Sequence, residues 1–151
     1  MKTAKFNLPY DERRRLHQRA YRAQQKDQSE VCGVVFAGAN NKLRLHFLRN
    51  LSPESWSFEI SNTDIKDARE KAIQNGERVI GLFHSHIASE AIPSPGDIVK
   101  SPMSYLQLIY DICGRNVRMW RIKKVDGEKM SFEVPIATES RPKQPTRPVE
   151  R

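Results

Sequence analysis

Val79-Ile80-Gly81-Leu82-Phe83-His84-Ser85-His86 is an apolar run that closes on two histidines one residue apart. Its β-branched and aromatic residues favour a strand, and an unbroken apolar run marks a strand covered on both faces. On a strand, positions i and i+2 point to the same side, so His84 and His86 can reach one ion together. After seven intervening residues, inside Pro93-Ser94-Pro95-Gly96-Asp97, stands Ser94, and after two more Asp97. Gly96–Val99 reads as a short helical turn, from which Asp97 returns to supply a third ligand. Two imidazoles and one carboxylate suit zinc. Three protein ligands leave a fourth position for water, which is the catalytic arrangement and not the structural one.

Hydrolysis of an amide at such a site needs a base that takes a proton from water and returns one to the leaving amine. Upstream, Ser29-Glu30-Val31-Cys32-Gly33-Val34-Val35 places Glu30 at the mouth of an apolar strand, an uncommon position for a purely structural carboxylate. Glu30 is the candidate base. Cys32 falls on the same side of that strand and reads as a small core residue; Cys113 reads as core within a later strand.

The remaining segments surround this centre. Asp11–Lys26 predicts a helix on the spacing of Leu16, Ala20 and Ala23. Val31–Gly38 and Lys42–Leu48 predict a hairpin, and Trp56–Ile60 a third short strand. Ser61-Asn62-Thr63-Asp64 caps a second helix with Ile65, Ala68, Ala72 and Ile73 on its apolar face. Tyr105–Ile112, Val117–Ile122 and Met130–Ile136 predict three more strands. Trp56 and Trp120 read as core or edge aromatics, and His17 and His46 as surface residues. Strands with two long helices give an α+β or α/β sandwich class.

The chain has 151 residues, single-domain size, and no apolar run long enough to cross a membrane. Two cysteines are too few for a disulfide scaffold, and the opening MKTAKFNLPY lacks a secretory apolar region, so a cytoplasmic chain with reduced thiols is expected. The net charge of +8 is carried by the ends: residues 1–26 hold eight Lys/Arg against two acids, and residues 138–151 four against two. The neutral body lacks the basic and aromatic interleaving of nucleic-acid binders, so no nucleic-acid partner is expected. The stretch 138–151, with Pro142, Pro145 and Pro148, is expected to be a disordered tail.

The string His84-x-His86-x7-Ser94-x2-Asp97, with Glu30 in a Glu-x-Cys-Gly context, resembles the JAMM (JAB, MPN+) metalloprotease family over roughly residues 6–137, in the same order of elements. The resemblance implies one MPN (JAB)-type domain over residues 1–137, a mixed β-sheet flanked by helices in the cytidine-deaminase-like class. It implies zinc (Zn2+) on His84, His86 and Asp97, Glu30 as general acid/base, and Ser94 as hydrogen-bond donor to the oxyanion. Members with all five residues typically hydrolyse the isopeptide or peptide bond after the Gly-Gly tail of ubiquitin or a ubiquitin-like protein. Ile87 stands where the family usually has proline, and with Pro93 it bounds the expected substrate channel. The chain has no length for the insertions of eukaryotic deubiquitinases, so it resembles compact prokaryotic forms. Some of those accompany conjugation enzymes in anti-phage systems, and others trim ubiquitin-like sulfur carriers. The expectation is therefore a zinc isopeptidase whose partner is a ubiquitin-like protein or its conjugate. A maturation peptidase for a sulfur carrier and a non-catalytic scaffold are the alternatives; oligomeric state is not legible.

Overall fold

Val34 and Phe36 point to one side of their strand, Val35 and Ala37 to the other, and all four are buried, so both faces of this strand are covered. The same holds across the centre of the sheet. A computed structural model describes residues 5–142. In chain order its elements are β1 (Phe6–Leu8), α1 (Tyr10–Asp27), β2 (Cys32–Ala37), β3 (Leu43–Leu48), α2 (Asn62–Gln74), β4 (Arg78–His86), α3 (Pro95–Lys100), β5 (Leu106–Asp111), β6 (Asn116–Val125), β7 (Glu128–Val134) and β8 (Ile136–Thr138). A single 3-10 turn, Ala39–Asn41, joins β2 to β3.

Six strands form one mixed sheet in the order β3-β2-β4-β5-β6-β7. Only β4 and β5 run parallel among these neighbours, and the crossover between them carries α3. Helix α1 buries Leu16 and Ala20 against one face, with Val35, Phe83, Leu108, Tyr110 and Met119. Helix α2 buries Ala68 and Ala72 against the other, with Val34, Phe36 and Leu82. The result is a three-layer α/β sandwich, as the sequence implied. At Gly81 the two parallel strands approach so closely that a Cβ would lie 2.4 Å from the Leu106 carbonyl oxygen. A side chain there would push β4 off β5.

Several expectations need correction. Trp56–Ile60 is not a strand. It belongs to a loop folded around the Asn50 side chain, which accepts from the backbone N–H of Ser52 and Glu59 and donates to the Ser57 carbonyl. Trp56 is 75% exposed, so it is neither core nor a sheet-edge aromatic. Ile73 is exposed at the end of α2, and Cys113 is exposed because β5 stops at Asp111, which turns the chain by accepting from the Gly114 N–H. His17 and His46 are half-buried: His17 packs edge-on to Tyr110 with its Nδ1 2.5 Å from the phenol oxygen, and His46 stacks on Phe36. The folded part also continues past residue 137. Strand β8 pairs in parallel with β1, and the Glu139 N–H donates to the Leu8 carbonyl. The rest of the expected tail, from residue 143, lies outside the described residues.

Candidate functional site

The sheet register gathers Glu30, His84 and His86. Cys32 pairs with His84 and Val34 with Leu82, and period-2 alternation then puts Glu30, Cys32, His84 and His86 on the α2 side. Ser85, between the histidines, points the other way and ties β4 to the start of β2. Its Oγ accepts from the Val31 N–H at 2.9 Å and its N–H donates to the Val31 carbonyl at 3.0 Å.

Asp97 is placed by the opening of α3. Ser94 is the N-cap: its Oγ accepts from the Asp97 N–H at 3.1 Å, and the Asp97 Oδ2 accepts from the Ser94 N–H at 2.9 Å. Pro95 holds the first helical position. This capping box satisfies two N-terminal donors and fixes the carboxylate. The same Oδ2 then lies 3.2 Å from His84 Nε2 and 3.0 Å from His86 Nε2, and the two Nε2 atoms are 3.1 Å apart.

This convergence fits a cation. His86 Nδ1 lies 2.7 Å from the Glu90 carbonyl oxygen, which can only accept, so Nδ1 carries a hydrogen. In the neutral tautomer the His86 Nε2 therefore presents a lone pair, and it faces a second imidazole nitrogen and a carboxylate oxygen. Three such groups repel one another unless something positive lies between them. Although burial works against the charged form, hydrogen bonds to Asp97 and to the Glu90 carbonyl raise the His86 pKa. Asp97, which burial alone would raise, is held well below the usual carboxylate range by hydrogen bonds from His84 and His86. His84 is fully buried, and burial lowers its pKa. Among the described residues these three form a set able to hold a metal ion.

Glu30 stands beside this set, 5% exposed, with Oε1 buried and without a partner among the described residues. Burial pushes its carboxyl up to about 8; the neighbouring His86 pulls it down and Asp97 pushes it further up. A carboxyl held near neutrality in a cleft is suited to both accepting and giving a proton. Cys32 is no ligand: burial, and then the Glu30 charge, push its thiol up to about 12, and it packs as core.

Glu30, His86, Ser94 and Asp97 line one open cleft of about 790 Å³, with Ile87 and the loop residues Trp56 and Phe58 on its walls. Pro93 does not line it. That residue is buried, so the channel wall at this loop is formed by Ile87, Ala88 and Ser89 instead. Sequence reasoning missed two residues. Phe58 stacks on the His84 ring, with centroids 4.3 Å apart. This contact orients an imidazole whose Nδ1 is buried without a partner among the described residues. Asn50 donates to the Glu30 carbonyl at 2.9 Å while holding the loop that carries Phe58. The turn signal Asn50-Leu51-Ser52-Pro53 was visible, because asparagine before such residues builds a turn with its own side chain.

The chain is 41% identical over 69 residues to a desampylase of Pyrococcus furiosus, a match that takes in 46% of this chain and 49% of that protein. The chain thus spans about half the length of the curated relative it matches. A protein of Desulfitobacterium hafniense, solved in solution, superposes with a TM-score of 0.72 at 23% identity, covering 90% of this chain and 94% of that one. A JAB1/MPN domain protein from Archaeoglobus fulgidus superposes with a TM-score of 0.51 at 15% identity, over 91% of this chain and 100% of that one. These two likenesses speak for the fold. The family described as prokaryotic homologs of the JAB domain matches residues 13–123, which take in Glu30, both histidines, Ser94 and Asp97, and the chain belongs to that family.

Proposed function

We propose that this chain is a zinc-dependent peptidase that hydrolyses the bond following the C-terminal tail of a ubiquitin-like protein, with an isopeptide bond to a conjugated amine as its principal target. The observation that carries the reading is the buried Glu30 carboxyl, its Oε1 without a partner among the described residues, beside a His84, His86, Asp97 set that demands positive charge. The likeness to a desampylase supports a ubiquitin-like substrate.

His84, His86 and Asp97 would hold the metal. A zinc ion bound there supplies Lewis-acid activation of the attacking water and the scissile carbonyl. Glu30 takes one proton from that water as oxygen bonds to the carbonyl carbon. It delivers the proton to the leaving nitrogen as the C–N bond breaks, so the carboxyl returns to its starting state. The contact from His86 Nδ1 to the Glu90 carbonyl fixes that ring's tautomer through the cycle. Ser94 uses a lone pair of Oγ for its cap, which leaves the hydroxyl hydrogen free to donate to the developing oxyanion.

The test is a cleavage assay on a ubiquitin-like fusion, run beside elemental analysis. Zinc near one per chain with tail-specific cleavage is expected, and His84→Ala/His86→Ala should lose both. Stoichiometric zinc in that double variant, or absence of cleavage by zinc-loaded wild type, overturns the reading.

A further inference from the structure

A buried polar atom without a partner costs stability unless it has a task. Among the described residues, Glu30 Oε1, His84 Nδ1, both polar atoms of the Gln107 carboxamide and Asn7 Oδ1 are buried and unpartnered. Glu30 has its role in the proposed reaction, and Asn7 lies on β1. His84 Nδ1 and Gln107 remain, and they share one face of the sheet. In the parallel pair β4 and β5, Leu82 stands opposite Gln107 and His84 opposite Ile109. Period-2 alternation therefore turns Gln107 to the side of Leu82, His84 and His86. One strand across and two residues along, the Cα atoms of Gln107 and His84 stand about 8 Å apart. A glutamine and an imidazole together span that distance when the carboxamide turns toward the ring.

The other neighbours of Gln107 on this face cannot satisfy it. Leu82 is apolar. Trp120, opposite Gln107 on β6, gives its indole N–H to the Ala91 carbonyl at 2.8 Å. Arg118, two residues from Trp120, gives its guanidinium to Glu133. Gln107 borders the floor of the cleft but is only 1% exposed, so bulk solvent does not reach its carboxamide.

The need of His84 is specific. A histidine that ligates a metal donates its other ring N–H to an acceptor, which fixes its tautomer and its rotation. His86 has that acceptor in the Glu90 carbonyl, 2.7 Å from its Nδ1. Phe58 holds the face of the His84 ring, but among the described residues nothing holds its Nδ1 edge. With Nε2 given to a metal, Nδ1 carries the hydrogen and needs an acceptor. With the hydrogen on Nε2, toward Asp97, Nδ1 is a lone pair and needs a donor. A carboxamide offers both.

We infer that Gln107 is a positioning residue for the metal site: its carboxamide oxygen accepts from His84 Nδ1–H and so keeps the Nε2 lone pair turned toward His86 and Asp97. This role rests on the proposed zinc site, and Gln107 itself takes no part in bond breaking.

The test uses the full chain and zinc alone, with affinity measured by competition against a coloured chelator. Gln107→Met matches the length of the side chain and removes both polar atoms. It should bind zinc about 10–100-fold more weakly than wild type. Gln107→Glu keeps an acceptor and should recover most of that loss. Thermal unfolding of the metal-free chains reports whether each variant folds. A second readout needs no variant. In zinc-saturated wild type with 15N-labelled histidine, the His84 Nδ1–H should exchange slowly with water and show a nuclear Overhauser contact to the Gln107 side chain. In Gln107→Met that hydrogen should exchange fast, while the His86 Nδ1–H, held by Glu90, stays unchanged as an internal reference. Equal zinc affinity in wild type and Gln107→Met, a Gln107→Glu as weak as Gln107→Met, or absence of the His84–Gln107 contact in wild type overturns the role of Gln107. Each of these leaves the zinc site and the peptidase reading standing. A wild-type chain that binds no zinc removes both.

Discussion

Glu30 and Ser94 each carry a role that a single substitution can isolate. Glu30→Gln keeps shape and removes the proton acceptor, so zinc content should stay near one per chain while turnover falls by about 10²–10⁴-fold. Zinc lost in that variant would move Glu30 into the metal's own ligand set. The same substitution should raise the thermal stability of the metal-free chain near neutral pH. The folded state holds the Glu30 proton up to about 8 against an ordinary value of 4.5. The folded protein therefore binds more protons than the unfolded one between those values, and wild type loses stability as pH rises through that window. Below it the two proteins should melt alike. For Ser94 the cap and the hydroxyl donor can be separated. Ser94→Asp retains a good N-cap but offers no donor, so it should keep zinc and the fold while kcat falls by about 10²–10³. Wild-type kcat in Ser94→Asp would leave Ser94 with the cap alone. At this scale the sequence was most legible, because strand alternation places His84 and His86 on one side without any knowledge of the rest, whereas bringing Glu30 beside them takes the register of β2 on β4. Phe58 was not legible, and Asn50 showed only as a turn signal, since stacking on His84 and the bond to the Glu30 carbonyl are contacts across 26 and 20 residues of sequence.

The strands and helices were readable where they are long and periodic, and unreadable where the partner decides. The buried run of β4 and the capped start of α2 follow from local pattern. By contrast Trp56–Ile60 has the composition of a strand, but Asn50 takes up the backbone groups that a ladder would have used. The three-residue strands β1 and β8 are too short to show a period at all. The loop between β3 and α2 therefore depends on one amide. Asn50→Ala should cost about 2–3 kcal/mol, because it leaves several part-buried backbone groups without partners, and chemical denaturation will measure it. It should also release Phe58, so in metal-free protein the His84 ring protons should lose the upfield shift that a stacked aromatic ring confers. An unchanged His84 spectrum would show that Phe58 holds its place without Asn50. Gly81→Ala tests the other side of the centre. Its Cβ would meet backbone and not a movable side chain, so a loss of at least about 2 kcal/mol is expected, with weaker metal binding as β4 is displaced.

Across the whole molecule, the apolar clusters that hold α1 and α2 to the sheet do not include His84, His86 or Asp97. Chelation should therefore lower the melting temperature by the linkage of metal binding while leaving the fold cooperative. A chain that unfolds on chelation would make the metal a structural one. His17 and His46 set a separate acid limit. Burial, with Arg115 near the first and Lys71 near the second, lowers both pKa values below the ordinary 6.5. Each stays neutral when folded and takes up a proton more readily when unfolded, so their contribution is full above about 6.5 and is lost as pH falls below it. The melting temperature of His17→Gln/His46→Gln relative to wild type should therefore rise on acidification from about pH 7 to about pH 5, as wild type alone loses this contribution. The pairing of β1 with β8 has a further consequence for synthesis. Phe6 meets Ile136 and Leu8 meets Thr138, so a strand made among the first residues waits for one made among the last. While the polypeptide emerges from the ribosome, the six-stranded sheet can assemble up to β7 with the α1 end still unclasped. Only release of residues 136–139 closes the domain, and a nascent chain arrested before them should remain open to protease at its N-terminal strand.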